Sequence, residues 1–340
     1  MEGGVDYRRL GASGLTVSRI CLGAMMFGER TDAVAALEIG RAAFDAGVNF
    51  IDTADAYGEG DSERIVGRIV AGARDRWVVA TKFGSPMLPG DPNAGGAGRK
   101  WMMRAVEASL TRISTDYLDI CYFHRDDRGT PLEESLVAMA DLIRAGKVRY
   151  FGLSNIAGWR IAAVVEQCRA LGVPRPVVLQ PYYNALYRVA EVEQLPACRH
   201  YGLGAVPYSP LARGVLTGKY RPGAAPPPDS RGGRREPRFI ETEMRAESLA
   251  IAQTLERHAE KRGMTAAQFA LNWVLHNAIV SSVLAGPRTL GQWNEYLGAL
   301  EHRFEADDEA LVDSLVAPGH GSTPGYTDPK YPVTGRIASA

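Results

Sequence analysis

Short apolar runs alternate with amphipathic stretches along most of the chain. Eight of these runs have the length and composition of buried strands, and a helical pattern of apolar positions follows each of them. The predicted strands cover residues 19–23, 48–52, 77–82, 117–124, 148–154, 176–180, 204–207 and 279–284. The predicted helices comprise one capped by Thr31 or Asp32, then 62–70, 100–113, 131–145, 157–171, 191–201, 243–262, 265–276 and 289–300.

Unbroken alternation of strand and helix favours parallel strands joined by right-handed crossovers. Eight such units predict a closed (β/α)₈ barrel, the TIM barrel of the α/β class. A doubly wound open sheet is the alternative, but residues 23–28 lack the G-x-G-x-x-G pattern of a dinucleotide-binding strand–helix turn. We expect one domain over 1–340: a hairpin at 7–18, a barrel at about 19–300, and a C-terminal extension at about 301–340.

Composition and charge narrow the possible functions. Lys plus Arg and Asp plus Glu both number 39, which argues against a general nucleic-acid binder. The four cysteines are dispersed without a CxxC pair, so buried reduced thiols are expected and no metal site is predicted. No signal-peptide pattern or membrane-spanning run is found, and a cytoplasmic location without membrane contact is the default expectation.

Four ionisable residues of different chemistry stand at the ends of predicted strands. Asp52 ends the second strand with Tyr57 five positions later, Lys82 ends the third strand, and His124 ends the fourth. Each residue alone also fits a structural role. In a barrel, however, the carboxyl ends of all strands face one mouth, which predicts that the four side chains meet there.

That quartet has a definite chemistry. A free phenol, with a pKa near ~10, is a poor acid at neutral pH, and a nearby ammonium lowers that value. Asp52 can hold Lys82 charged, Tyr57 can then protonate a carbonyl oxygen, and His124 can orient it. Such a site needs hydride from a cofactor. The side chains of Ser154, Asn155 and Gln180 suit a nicotinamide carboxamide, and that of Tyr208 suits its ring.

Motifs over nearly the whole chain resemble those of aldo-keto reductases, including the bacterial reductases and potassium-channel β subunits. Among them are Asn49-Phe-Ile-Asp-Thr-Ala-Asp-x-Tyr-Gly58, Gly146-Lys-Val-Arg-Tyr-Phe-Gly-Leu-Ser-Asn155 and Tyr208-Ser-Pro-Leu-Ala-Arg-Gly-Val-Leu-Thr-Gly-Lys-Tyr220. The resemblance implies the barrel fold, use of NAD(P)H without a Rossmann domain, and a catalytic tetrad on Asp52, Tyr57, Lys82 and His124.

The resemblance also implies where the cofactor binds. The expected contacts are Gly23, Met25, Ser154, Asn155, Gln180, Tyr208, Ser209, Leu211, Gly214, Lys219, Arg231, Gly286, Arg288, Gln292, Glu295 and Tyr296. Tyr296 departs from the asparagine usual in the family, and either stacks on adenine or packs internally. Lys219, Arg231 and Arg288 favour NADPH over NADH, whereas Arg234 and Arg235 are interpreted as solvated loop residues.

The main hypothesis is therefore an NADPH-dependent reductase of aldehydes or ketones that acts on a small carbonyl substrate. Three alternatives stay open: an NAD(P)⁺-dependent alcohol or sugar dehydrogenase, a redox-sensing regulatory subunit like the channel β chains, and a Schiff-base enzyme using Lys82. The sequence does not specify the substrate, but we expect its pocket to be walled by the loops after Met25, Phe83 and Tyr183 and by the C-terminal stretch 321–331. The side chains of Met25, Met26, Phe27, Tyr57 and Trp101 suggest an apolar pocket, although Trp101 equally fits a packing role.

Overall fold

The structure is a computed structural model that describes residues 5–332. Parts of the expected domain and C-terminal extension, residues 1–4 and 333–340, lie outside the described residues. The chain starts with an antiparallel hairpin of β1 (Tyr7–Arg9) and β2 (Thr16–Ser18), as predicted. Leu10 and Val17 of this hairpin are fully buried among residues inside the barrel, so the hairpin covers the end where the strands begin.

Eight parallel strands form the central sheet, in the order β10-β3-β4-β5-β6-β7-β8-β9. Hydrogen bonds from Ser281 N to Ala205 O (2.9 Å) and from Leu284 N to Pro207 O (3.0 Å) join its two edges and close the barrel. The prediction of a (β/α)₈ fold is thus confirmed. The strands are β3 (Ile20–Gly23), β4 (Phe50–Asp52), β5 (Val78–Phe83), β6 (Leu118–Phe123), β7 (Val148–Ser154), β8 (Val178–Gln180), β9 (Gly204–Ala205) and β10 (Val283–Ala285).

Helices surround the barrel and bury their apolar faces against the outside of the sheet. Asp32 caps the first of them, accepting hydrogen bonds from the backbone amides of Val34 and Ala35. Over residues 5–332 the α-helices are α1 (Ala33–Asp45), α2 (Asp61–Val70), α3 (Arg99–Ile113), α4 (Leu132–Arg144), α5 (Gly158–Leu171), α6 (Gln194–Tyr201), α7 (Pro237–Thr242), α8 (Ala246–Lys261), α9 (Ala266–His276), α10 (Leu290–Gly298) and α11 (Ala306–Leu315).

Most predicted elements agree with the structure to within a few residues, with two differences. Helix α7 lies between the predicted strand at 204–207 and the predicted helix at 243–262, beginning in a stretch (209–239) expected to be irregular, and Pro237 occupies its first turn, where a missing N–H costs nothing. The predicted strand at 279–284 is shorter than expected, because only Val283–Ala285 pairs with β3 while Val280 makes an isolated bridge to Ala205.

All four cysteines are buried and unpaired, as expected. Between residues 5 and 332, none of the helices combines the length and apolar character needed to span a bilayer.

Candidate active site

Alternate side chains of a β-strand point to the same face, and this alternation determines where the charged side chains lie. On β5, Val78 and Ala80 belong to the core inside the barrel, whereas Val79 belongs to the core between sheet and helices. Lys82 continues the inward series, since alternate side chains of a strand share a face. Asp52 follows inward-facing Phe50 by the same spacing, so two charged groups enter the barrel interior at the carboxyl ends of adjacent strands.

The Lys82 ammonium has three hydrogen-bond acceptors, which match its three donors. It forms an ion pair with Asp52, donates to Thr53 O at 2.7 Å, and lies 3.3 Å from Tyr57 Oη. Lys82 is fully buried and Asp52 is 1% exposed. A buried charge is tolerated only when paired and hydrogen-bonded, and this geometry meets both conditions.

Burial and neighbouring charges set the protonation states of this group. Burial disfavours the charged ammonium, but Asp52 and Tyr57 outweigh that effect and raise the pKa of Lys82. Burial raises the pKa of Tyr57, and the positive charge of Lys82 opposes this rise. The expectation that Lys82 lowers the Tyr57 pKa therefore holds only in part. Tyr57 keeps its proton at neutral pH, as an acid catalyst must.

His124 lies beside Tyr57, with the ring centroids 5.9 Å apart and the ring planes at 85°. Burial, together with the positive charges of Lys82, Arg125 and Lys330, lowers the pKa of His124 to about 3. The imidazole is therefore neutral at physiological pH. Its Nδ1 is buried without a hydrogen-bond partner among the described residues.

A network of polar side chains continues from the tetrad along the next three strands. Asn155 donates to His124 O at 2.9 Å and accepts a 2.8 Å hydrogen bond from Tyr208 Oη. Ser154 Oγ donates to the main-chain oxygen of Gln180 at 2.9 Å. Asn155 adopts a left-handed backbone conformation (φ 53°) that few non-glycine residues tolerate. This conformation and the network together fix its amide at the mouth of the barrel.

One cavity of about 720 Å³ runs across the mouth, within the size range of small-molecule and cofactor sites. Asp52, Tyr57 and His124 line it, while Lys82 lies behind them. Every residue that the sequence assigns to cofactor binding also lines this cavity, from Gly23 and Met25 to Tyr296. A Cβ on Gly23 would lie 3.2 Å from Ala285 O, which explains a glycine in this wall.

Four basic residues, Lys219, Arg231, Arg234 and Arg288, form a cluster in the wall of the cavity. Arg231 and Arg234 share Glu236 as their carboxylate partner, at 2.6 and 2.7 Å. Burial, and then the charges of Arg288, Arg231 and Arg234, lowers the pKa of Lys219. An anion bound here would relieve this repulsion, so the cluster fits the phosphates of a nicotinamide dinucleotide. Arg234 lines the cavity, contrary to its interpretation as a solvated residue.

Other basic residues, Arg125, Arg213 and Arg238, also line the cavity. Arg125 directly follows His124 and was given no role by the sequence analysis. Lys330 and Tyr331 line the cavity too, and both lie in the C-terminal stretch 321–331 that was expected to wall the pocket. Phe27 and Trp101, suggested as pocket residues, are instead buried in the core. The pocket is consequently more basic and less apolar than expected.

A second buried carboxyl group lies just behind the tetrad. Asp55 is 1% exposed, and neither of its carboxyl oxygens has a hydrogen-bond partner among residues 5–332. Burial, and then the negative charge of nearby Glu63, raises the pKa of Asp55 to about 7. Glu63 itself is fully paired, through Thr81 and Arg112, at 2.5 Å each. Asp55 sits between Asp52 and Tyr57 in the sequence, but the sequence analysis assigned it no role.

Comparison with known proteins identifies the family. Residues 19–317 match the family model described as Aldo/keto reductase family. The chain belongs to the aldo/keto reductase family. It is therefore an oxidoreductase, and the family generally uses nicotinamide cofactors and acts on small carbonyl substrates.

Similar proteins cover most of the chain. An uncharacterized oxidoreductase of Bacillus subtilis (strain 168), YrpG, is 35% identical over 94% of this chain and 98% of its own length. The L-glyceraldehyde 3-phosphate reductase of Escherichia coli (strain K12) is 36% identical over 93% of this chain and 94% of its own. A probable voltage-gated potassium channel subunit beta of Arabidopsis thaliana is 36% identical over 87% of this chain and 92% of its own.

Proposed function

We propose that this aldo/keto reductase is an NADPH-dependent reductase of aldehydes or ketones in which Tyr57 is the proton donor. The observation that carries the proposal is the contact of 3.3 Å between Tyr57 Oη and Lys82 Nζ. It places a phenol beside a buried ammonium at the wall of a cavity large enough for a cofactor and a small substrate. That pairing is suited to donating a proton while stabilising the phenolate left behind.

Each member of the tetrad has a separable task in this proposal. Tyr57 transfers its proton to the carbonyl oxygen, and the Lys82 ammonium stabilises the phenolate that forms. Asp52 keeps Lys82 charged and oriented. Neutral His124 holds the carbonyl oxygen by a hydrogen bond. The bound nicotinamide cofactor supplies the hydride, so that hydride and proton together convert the carbonyl group to an alcohol.

The positive charge of the cluster around Lys219 supports NADPH as the cofactor. Burial lowers the pKa of Lys219, and the nearby positive charges of Arg288, Arg231 and Arg234 lower it further. Glu236 partners two of these arginines. The pyrophosphate common to NADH and NADPH would offset part of the remaining positive charge, and the additional phosphate on the adenosine ribose of NADPH would offset more of it.

The protonation state of Lys82 argues against a Schiff-base enzyme. The nucleophile in that chemistry is a neutral amine, and such lysines usually have depressed pKa values. Here Asp52 and Tyr57 raise the Lys82 pKa against the effect of burial, and Asp52 would hold the ammonium in place. The reverse oxidation of an alcohol uses the same groups with Tyr57 as base, so both directions belong in the test.

Substitution of Tyr57 by phenylalanine tests the proposal. Tyr57→Phe keeps the ring but removes the proton, and we expect kcat with NADPH and an aldehyde to fall by about 10²–10⁴-fold. The same loss is expected for alcohol oxidation with NADP⁺. Quenching of protein fluorescence by NADPH checks that the variant still binds cofactor. Tyr117→Phe, on a half-buried tyrosine outside the cavity that donates to Asp75, is the control. Wild-type turnover by Tyr57→Phe would refute the role of Tyr57.

A further inference from the structure

Four basic residues line the end of the cavity nearest the tetrad, and two of them already have carboxylate partners. Arg213 lies 3.4 Å from buried Glu243. Arg238 pairs with Asp328 and with Glu241. These two guanidinium groups are therefore compensated within the protein.

The other two, Arg125 and Lys330, have no carboxylate within 4 Å among residues 5–332. Both groups act on the tetrad, because their positive charges contribute to the depressed pKa of His124. They also repel each other: burial, and then Arg125, lowers the pKa of Lys330. The carboxylate of Asp328 offsets the charge of Lys330 only from a distance, so two basic groups without a paired carboxylate lie beside the groups that hold the carbonyl.

The segment that carries Lys330 is fastened to the barrel. The backbone amide of Lys330 donates to Asp328 Oδ1 at 2.9 Å, and Asp328 is the residue that pairs with Arg238. Upstream, the guanidinium of Arg245 stacks on the Tyr326 ring at 3.9 Å. These contacts hold the C-terminal segment with Lys330 at the wall of the cavity that Arg125 also lines.

Isolated basic side chains on a surface are usually only solvated. Arg125 and Lys330 are exposed, but they differ from scattered surface residues because they line the same cavity as Tyr57 and His124 although their charges repel each other. A bound anion would remove that repulsion and would gain two charge-assisted hydrogen-bonding groups.

We propose that the carbonyl substrate carries an anionic group, a carboxylate or a phosphate, which Arg125 and Lys330 bind while the carbonyl lies between Tyr57 and His124. This inference rests on the proposed reductase function. It narrows the substrate class from aldehydes and ketones in general to those with an acidic group within reach of the carbonyl. It also assigns a specificity role to Lys330, in the C-terminal segment.

Two matched pairs of aldehydes test the inference. 4-Formylbenzoate is compared with its methyl ester, and 4-formylphenyl phosphate with 4-methoxybenzaldehyde, each with NADPH at low ionic strength. We expect the charged member of at least one pair to have the higher kcat/KM, by on the order of tenfold. Added salt should shrink the preference, since exposed charges are screened. A preference in one pair alone assigns carboxylate or phosphate as the anion.

The double variant Arg125→Gln/Lys330→Gln should abolish the preference, mainly through a higher KM for the charged aldehyde. Binding of the product 4-(hydroxymethyl)benzoate to the NADP⁺ complex, measured by calorimetry, gives a readout that does not depend on turnover. Lys100→Gln/Arg257→Gln removes the same total charge from exposed helix positions outside the cavity and should keep the preference.

Equal kcat/KM values for the charged and neutral members of both pairs would overturn the inference, as would a preference that survives in the double variant. In either case reduction of the neutral aldehydes would leave the proposed function standing. If the wild-type protein reduces none of the four aldehydes, both the proposed function and the inference are refuted.

Discussion

The side-chain amide of Gln180 donates a 2.9 Å hydrogen bond to Asp52 Oδ2, the carboxylate oxygen that Lys82 does not bind. The two residues are 128 positions apart in the chain and stand at the ends of β8 and β4. Both carboxylate oxygens of Asp52 therefore have a donor. Gln180, which the sequence analysis assigned to the cofactor, also holds the carboxylate that orients the tetrad lysine.

Removing this donor should weaken both stability and catalysis. Gln180→Leu leaves Asp52 Oδ2 buried without a partner, which we expect to lower the free energy of unfolding by about 1–3 kcal/mol. Urea denaturation measures that loss, and kcat with NADPH and an aldehyde should fall as Asp52 loses its fixed orientation. Gln167→Leu, on a partly exposed glutamine of α5, is the control. Unchanged stability of Gln180→Leu would show that the bond does not hold Asp52.

The buried ion pair of Lys82 and Asp52 should show strong energetic coupling. Lys82→Met and Asp52→Asn each leave one partner unpaired in the barrel interior, and each should lower the free energy of unfolding by about 3–5 kcal/mol. The double variant contains neither charge, so its destabilisation should be smaller than the sum of the two by about 1–3 kcal/mol.

A double-mutant cycle by urea denaturation measures this coupling. The exposed pair of Lys147 and Glu107 provides the matched cycle, in which coupling near zero is expected because solvent screens the charges. Additive losses for Lys82 and Asp52 would mean that the two side chains do not interact as a pair.

The positions of the tetrad residues at strand ends were predictable from two features of the chain, the apolar runs and the common direction of parallel strands. The apolar runs locate β4, β5 and β6, and the common direction of parallel strands brings Asp52, Lys82 and His124 to one mouth. The residues expected to contact the cofactor were located from family motifs, and the structure brings all of them to one cavity.

Contacts between side chains on distant elements were not predictable in the same way. No local pattern indicates that Gln180 reaches Asp52, or that a carboxyl group on a loop, Asp55, is fully buried. An aromatic side chain such as that of Trp101 suits a pocket as well as a core, and only the folded structure shows that it packs in the core. The C-terminal stretch that carries Lys330 was expected to wall the pocket, but no periodic pattern indicates the Arg238–Asp328 contact that holds this stretch in place.

Cofactor preference should depend on Arg288. In the proposed NADPH complex this guanidinium belongs to the cluster around Lys219, and removing its charge should cost on the order of 1–3 kcal/mol of NADPH binding, a loss of about 5- to 150-fold in affinity. We expect Arg288→Gln to raise the NADPH dissociation constant while changing that of NADH little, as measured by fluorescence titration. Arg235→Gln, an exposed arginine outside the cavity, is the control. Equal losses for both cofactors would argue against a phosphate contact.

Asp55 and His124 should make opposite contributions to the pH dependence of stability. The pKa of Asp55 rises from 3.8 to about 7 on folding, so its contribution is complete below about pH 4 and is lost as pH rises towards 7. The pKa of His124 falls from 6.5 to about 3, so its contribution is present above 6.5 and is lost as pH falls. Between pH 5 and pH 7 each amounts to about 2 kcal/mol, and the two nearly cancel in the wild-type protein.

Substitution of Asp55 should remove one of these two contributions, so that the pH dependence due to His124 becomes measurable. Relative to wild type, Asp55→Asn should be more stable at about pH 8 than at about pH 5, by a difference of about 2–3 kcal/mol in the free energy of unfolding, because the variant has no carboxylate to ionise. His124→Gln should show the reverse trend. Urea denaturation at both pH values measures these differences, with Asp116→Asn at an exposed position as the control. A pH-independent difference between Asp55→Asn and wild type would mean that Asp55 ionises normally, and that its carboxyl group has a partner or solvent contact in solution.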